Sequence, residues 1–318
     1  MRARFTPLPS DAKRPFWSIM IPAHESAAFL ETALRSVLTQ DQGPEYMQIE
    51  VVDDASSDNP EPLVERVGGG RVSFFRQRTN QGQLSNLAAC VERARGEIVH
   101  ILHGDDYVLP GFYEALERGF RSDPGVGAAF CRWKIVDGDG EDLATADEEQ
   151  EVAGPYRNAL ERLATEQRIV TPSIAVRRSV WETLGGFDSR LLCAEDWEMW
   201  VRIAAHYQIW YEPQPLAAYR KHSASNTAQN SRNAKELRYS KIAIDLFAPL
   251  LPAARRRTLV RQARKSYATT ALTNAVEYAR SGDWSAAFSH LAMAVRLEPS
   301  WQTFRSARRV FTQGARKR

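Results

Sequence analysis

Four polar clusters in this chain carry side chains able to do chemistry: Asp53-Asp54 with Asp58, His103-Gly104-Asp105-Asp106, Glu195-Asp196, and Arg220-Lys221-His222. The second is the one against which the others are read. The apolar run Ile98-Val99-His100-Ile101-Leu102 has the length of one buried strand, and it gives way to a small residue and two adjacent carboxylates. An aspartate pair after a strand is ordinarily a solvated turn. Carboxylates at a strand end also suit a hard divalent cation: Mn2+ or Mg2+ takes oxygen ligands from one or two of them and fills its other positions with phosphate and water.

The elements that must position these clusters are legible from periodicity. Residues 17–21 read as a short buried strand stopped by Pro22, and Phe29/Leu30, Ala33/Leu34 and Val37/Leu38 form one apolar stripe of a helix reaching about residue 40. Strands are expected over 48–52 and 72–75, then a helix carrying Leu84, Leu87, Ala88 and Val91, and then the strand that ends at the aspartate pair. Alternating strands and helices of this length imply a parallel sheet covered on both faces. Ligands of such sheets sit beyond the carboxyl ends of the strands, so residues 22–25, 53–58 and 103–106 belong together. Neither G-x-G-x-x-G nor G-x-x-x-x-G-K-[ST] follows a strand. An acidic site without those loops must bind phosphate through a metal.

Farther on, a helix is expected over 112–120, a strand over 126–136, a tight turn at 137–140, a solvated acidic loop over 147–151, a strand over 171–176, and a short helix from 177 stopped by Gly185-Gly186. Trp197, Trp200, Ile203 and Ala204 share one face of a helix that opens with Glu195 and Asp196, where acidic residues are favoured by the helix dipole alone. From 233 onward the pattern is helical. Ala275, Tyr278, Ala287, Leu291, Ala294 and Pro299 fit a tetratricopeptide-like hairpin turning at 281–283.

Composition sets the class. With 318 residues, 43% hydrophobic and 25% charged, the chain is of ordinary globular composition, with length for one large and one smaller domain. A net charge of +3 argues against a nucleic-acid partner, although basic residues crowd the last sixty or so positions; a solvated face, an anionic membrane surface or a partner protein would each suit them. Three cysteines without C-x-x-C spacing fit a reduced setting, and no apolar run nears the roughly 18 residues of a membrane span. A cytoplasmic protein, peripheral at most to the inner face of the membrane, is expected.

Four blocks, in order, resemble family 2 glycosyltransferases of the GT-A fold over about two-thirds of the chain. Ser18-Ile19-Met20-Ile21-Pro22-Ala23-His24-Glu25 resembles the opening strand, and Val51-Val52-Asp53-Asp54-Ala55-Ser56-Ser57-Asp58 the D-D-G-S-x-D loop. Ala94-Arg95-Gly96-Glu97 through Asp106 resembles the A-R-G-E strand with its metal motif, and Glu195-Asp196 the E-D motif; Tyr219-Arg220-Lys221-His222 is similar to a Y-R-x-H near the end of the catalytic domain.

The resemblance implies a mixed α/β sheet flanked by helices and an inverting transfer from a nucleotide-diphosphate sugar to a hydroxyl of a glycan, lipid or protein. It implies that Pro22, Ala23 and Glu25 line the nucleoside pocket and that Asp54 accepts from N3 of uracil or thymine, so that UDP- or dTDP-sugars are expected donors. Asp105 stands where the family binds Mn2+ or Mg2+, with Gly104 beside it. His103 replaces the usual first aspartate and can meet ribose, diphosphate or metal. Asp196 is implied as general base with Glu195 shaping the site, His222 as a further metal ligand and Arg220 as a diphosphate contact.

The expected division is a disordered tail over 1–15, a GT-A domain over 16–232 whose polar stretch 223–231 forms a flap, and a helical region over 233–318. The departure at His103 favours a rival reading, a GT-A scaffold that binds a nucleotide sugar or a partner without turnover. A sugar-nucleotide pyrophosphorylase would need a Gly-rich basic loop after the first strand, which is missing.

Overall fold

The computed structural model describes residues 1–9, 13–222, 230–301, 303–305 and 307. Its described residues divide into two compact units. The first comprises Met1–Ala159, Ile169–Ser189 and His206–Lys221, the second Leu160–Arg168, Arg190–Ala205 and His222–Arg318.

The first unit is built on one sheet. Strands β1 (Trp17–Ala23), β2 (Met47–Asp53), β3 (Ser73–Arg76) and β4 (Ile98–Ile101) are joined through α1 (Ala27–Leu38), α2 (Glu61–Gly68) and α3 (Gln83–Arg93). There follow β5 (Tyr107–Val108), α4 (Phe112–Ser122), β6 (Val126–Val136), β7 (Asp142–Thr145), β8 (Gly154–Pro155), β9 (Ile174–Arg177), α6 (Arg178–Leu184) and β10 (Gln208–Arg220). The order is β3-β2-β1-β4-β9-β6-β10-β5, with β7 paired to β6 and β8 to β10. The first four strands are parallel, as their α-crossovers require. The rest is mixed: β9 runs antiparallel to both β4 and β6, whereas β10 is parallel to β6. The all-parallel sheet implied by the first half therefore holds only there.

Every residue of β2 and all but Pro22 of β1 are buried, the signature of central strands covered on both faces. The stripe Leu30, Ala33, Leu34 and Val37 packs into the main core with Ile19, Ile21, Val51 and Phe112. The A-R-G-E segment is explained by packing. Ser18 Oγ accepts from the N–H of Arg95 (3.0 Å) and Gly96 (2.7 Å) and donates to Gln48 Oε1 (2.7 Å). A Cβ on Gly96 would stand 2.6 Å from the backbone nitrogen of Ser18, so only glycine lets β4 start this close to β1.

The start of the chain, expected to be disordered, is held over its first residues. Ala3 carbonyl accepts from Gly186 N (2.8 Å), Arg2 pairs with Asp188 (3.3 Å), and Phe5 is buried. Gly186 leaves room for Phe5, whose ring would lie 3.2 Å from a Cβ there.

The second unit is helical: most of α5 (Ala159–Thr165), then α7 (Glu195–Ala204), α8 (Lys235–Phe247), α9 (Arg256–Arg280) and α10 (Trp284–Leu297). Trp197 anchors α7. Its Nε1 donates to the Leu163 carbonyl (2.6 Å), and its ring meets Phe247 edge-on at 5.1 Å and Tyr267 at 4.8 Å. The helix carrying Glu195 and Asp196 thus clusters with the C-terminal helices, which a division at 232/233 does not convey. α9 and α10 form a hairpin at 281–283, where the Asp283 side chain caps α10 by accepting from Ala286 N. Among the described residues no helix is long and apolar enough to cross a membrane.

Candidate active site

Parallel pairing puts the carboxyl ends of β1, β2 and β4 on one edge of the sheet. Ala23 is level with Asp53, and the chain leaving β4 stays alongside β1, with Leu102 N donating to Met20 O and Gly104 N to Pro22 O (3.1 Å). The sequence-predicted residues Pro22, Ala23, Glu25, Asp54, His103, Gly104 and Asp105 therefore share this edge of the first unit.

The loop after β2 is tightly cross-linked to the end of β1. Glu25, held at φ 50°, accepts from Ser57 N (2.6 Å) and Ser57 Oγ (2.9 Å), and these bonds lower its pKa. Asp54 is 2% exposed, and its two oxygens accept from the N–H groups of Gln81 (2.7 Å) and Gly82 (2.9 Å). Each oxygen keeps a second lone pair. Asp53 accepts from the Ser56 hydroxyl and pairs with Arg76 (3.3 Å). Asp58 accepts from Ala27 N (2.8 Å), the first residue of α1, and so ties this loop to that helix.

At the end of β4, His103, Asp105 and Asp106 each offer a ligand atom, all within 4.8 Å of one another. Asp106, which sequence reasoning left without a role beside Asp105, is 1% exposed; its Oδ1 accepts from Arg220 N (2.8 Å) and its Oδ2 has no hydrogen-bond partner. Burial, and then the charge of Asp105, push its pKa well up. His103 stands 3.7 Å from Asp106, burial lowers its pKa against the opposing charge of Asp105, and its Nε2 is likewise without a hydrogen-bond partner. The hydroxyl of Ser26, in the loop between β1 and α1 and 2.8 Å from where a Gly104 Cβ would be, is a third orphaned buried atom beside this turn. Orphaned oxygens and an unpartnered imidazole nitrogen within reach of one another are what a cation consumes, so these residues fit a divalent metal.

Arg220 is buried at the end of β10 and spans strand ends. Its Nε donates to the Asp105 carbonyl (2.9 Å) and its Nη1 to the carbonyls of Asp137 (3.1 Å) and Gly138 (2.9 Å). The guanidinium thus spends donors on main chain, where a diphosphate contact was expected. No sequence signal could have announced this, because its partners lie 82 to 115 residues away.

In the second unit, Glu195 and Asp196 open α7 after Ala194, whose φ of 63° turns the chain into the helix. Asp196 Oδ2 accepts from Gln167 Nε2 (2.7 Å), a partner that sequence reading missed, and Oδ1 from Trp197 N (2.7 Å). Burial raises the pKa of both carboxyls, and the charge of Asp196 raises that of Glu195 further. An aspartate raised towards neutrality is a better proton acceptor than an ordinary one. His222 also falls in the second unit, and most of the expected flap, 223–229, lies outside the described residues.

Comparison with known proteins agrees with this architecture. The sequence model of Glycosyl transferase family 2 matches residues 18–185. An uncharacterized protein of Mycobacterium tuberculosis is 29% identical over 230 residues, 68% of this chain and 70% of its own. Among solved structures, S. aureus TarS superposes with a TM-score of 0.66 at 15% identity over 94% of this chain and 53% of its own, so this chain spans about half the length of TarS. Residues 1–349 of TarS, solved in complex with UDP-GlcNAc, give 0.58 at 14% identity, covering 90% of this chain and 92% of that one. The mannosyltransferase PcManGT of Pyrobaculum calidifontis, solved with GDP-Man and Mn2+, gives 0.57 at 21% identity over 95% of this chain and 80% of its own. The fold is that of the GT-A glycosyltransferases, and the chain belongs to glycosyl transferase family 2.

Proposed function

We propose that the protein is an inverting, metal-assisted glycosyltransferase that moves a sugar from a nucleotide-diphosphate donor to a hydroxyl of a glycan, lipid or protein. The observation that carries this is the His103–Asp105–Asp106 cluster, with its orphaned donor atoms, on the sheet edge shared with Pro22 and Asp54. A cation held there supplies positive charge to a departing diphosphate. Asp196 takes the proton of the acceptor hydroxyl; that oxygen bonds to the anomeric carbon from the face opposite the diphosphate as the bond to the diphosphate breaks. Gln167 orients the Asp196 carboxylate for this task. Asp54, through its remaining lone pairs, accepts from N3–H of a uracil or thymine base, which favours UDP- or dTDP-sugars. The solved relatives bind UDP-GlcNAc in one case and GDP-Man in the other, so they do not choose the base for this chain.

The test is nucleoside-diphosphate release from UDP-, dTDP- and GDP-sugars with Mn2+ across an acceptor panel. Release that disappears in Asp105→Asn and Asp196→Asn supports the assignment. Metal-dependent donor binding without release from any donor would instead favour a binding protein, the reading that His103 at an aspartate position suggests.

A further inference from the structure

The metal cluster has an unusual donor set. Where two aspartates would flank the small residue, this chain supplies one imidazole, one partly buried carboxylate and one fully buried carboxylate. Resting on the metal-site reading of the proposed function, we propose that His103 is a direct nitrogen ligand of the cation, and that it biases the site towards a transition-metal divalent such as Mn2+ over Mg2+.

Three observations carry this. The His103 side chain lies in the cluster, with its Nε2 buried and lacking any hydrogen-bond partner. A buried imidazole nitrogen left unpaired costs stability unless something fills it. Its position is set by two contacts: Asp106 lies 3.7 Å from Nδ1, which puts the ring beside that carboxylate, and the turn that carries it is tied to β1 by Gly104 N donating to Pro22 O at 3.1 Å. Finally, the site offers nitrogen as well as oxygen. Mg2+ demands a near-ideal octahedron of oxygens and dehydrates reluctantly, whereas imidazole suits the first-row transition metals. A ribose or diphosphate contact through the same nitrogen would leave the cation with carboxylates alone and no reason to discriminate between the two metals.

The experiment uses full-length protein loaded with Mn2+ alone and read by pulsed electron paramagnetic resonance, which detects nitrogen bonded to the ion. Binding is measured in parallel by Mn2+ titration. Wild type should show nitrogen modulation that changes when the protein is labelled with 15N-histidine. His103→Asp should keep Mn2+ but lose the modulation, and its Mn2+-over-Mg2+ affinity ratio should fall by about tenfold. His103→Gln provides a second variant should the extra carboxylate beside Asp106 unfold the turn. Mn2+ that binds wild type, is lost in Asp105→Asn and shows no histidine nitrogen would overturn this proposal while leaving the metal site intact. Mn2+ binding that is indifferent to Asp105→Asn would overturn both.

Discussion

Asp196 makes a prediction whose two halves pull in opposite directions. Its carboxyl is raised by burial, so the folded protein holds that proton more tightly than the unfolded chain does. The stabilising share is complete below the unfolded aspartate value of about 4 and is lost as pH rises through the higher folded value. Above it, the ionised carboxylate is a cost that function requires. Asp196→Asn should therefore raise the melting temperature at pH 8, with little change at pH 4, while lowering turnover by about 10²–10⁴-fold. Equal melting shifts at both pH values would contradict this account of the carboxyl. By the same logic, the acid limb of the wild-type rate profile should lie above the ordinary aspartate range. Asp105→Asn should differ in kind, removing Mn2+ binding measured by titration. At this scale the chemistry is legible in the sequence, because carboxylates at strand ends carry a local signature. Gln167 and the carbonyls under Arg220 are invisible there, being contacts between residues 29 or more positions apart.

The strand ends owe their arrangement to elements that advertise themselves unevenly. β1, β2 and β4 are short continuous apolar runs before polar loops, and sequence pattern places each to within a few residues. β10 is illegible by pattern: its thirteen residues include two prolines and register shifts between Glu212, Pro215 and Ala217, which break any period-two alternation. It nevertheless delivers Arg220 to the His103–Asp105–Asp106 cluster. As an outer partner of that cluster, Arg220→Gln should weaken Mn2+ affinity by about 10–100-fold in a calorimetric titration while Asp105 is still present. The A-R-G-E segment is a family mark in the sequence, and the structure gives it a mechanical reason in the contact of Gly96 with β1. Gly96→Ala should cost about 1–3 kcal/mol in urea unfolding, because the clash is with backbone that cannot rotate away.

At the scale of the whole chain, the informative fact is which helices share a core. A reading by motif order ends the catalytic domain at residue 232 and treats the remaining residues as a separate region, because helical periodicity says that residues 233–318 are helices but not what they cover. Trp197 supplies the answer. Its indole is buried, donates to Leu163 O, and is covered by Phe247 from α8 and Tyr267 from α9, so the helix bearing Asp196 takes part of its own core from the C-terminal region. An alternative in which 16–232 folds alone would leave that indole bare. Phe247→Ala should thus destabilise the protein by about 3–5 kcal/mol, a large-to-small change in a filled aromatic cluster. Trp197 fluorescence, read against a Trp197→Phe background, should become solvent-like at lower urea than the signal of the sheet. A chain truncated after residue 232 should lose protection of α7 amides in hydrogen exchange and lose turnover, while keeping the β1–β4 amides protected. Retained protection of α7 in that truncation would show that the helix stands without its C-terminal neighbours, and would support the division at 232/233.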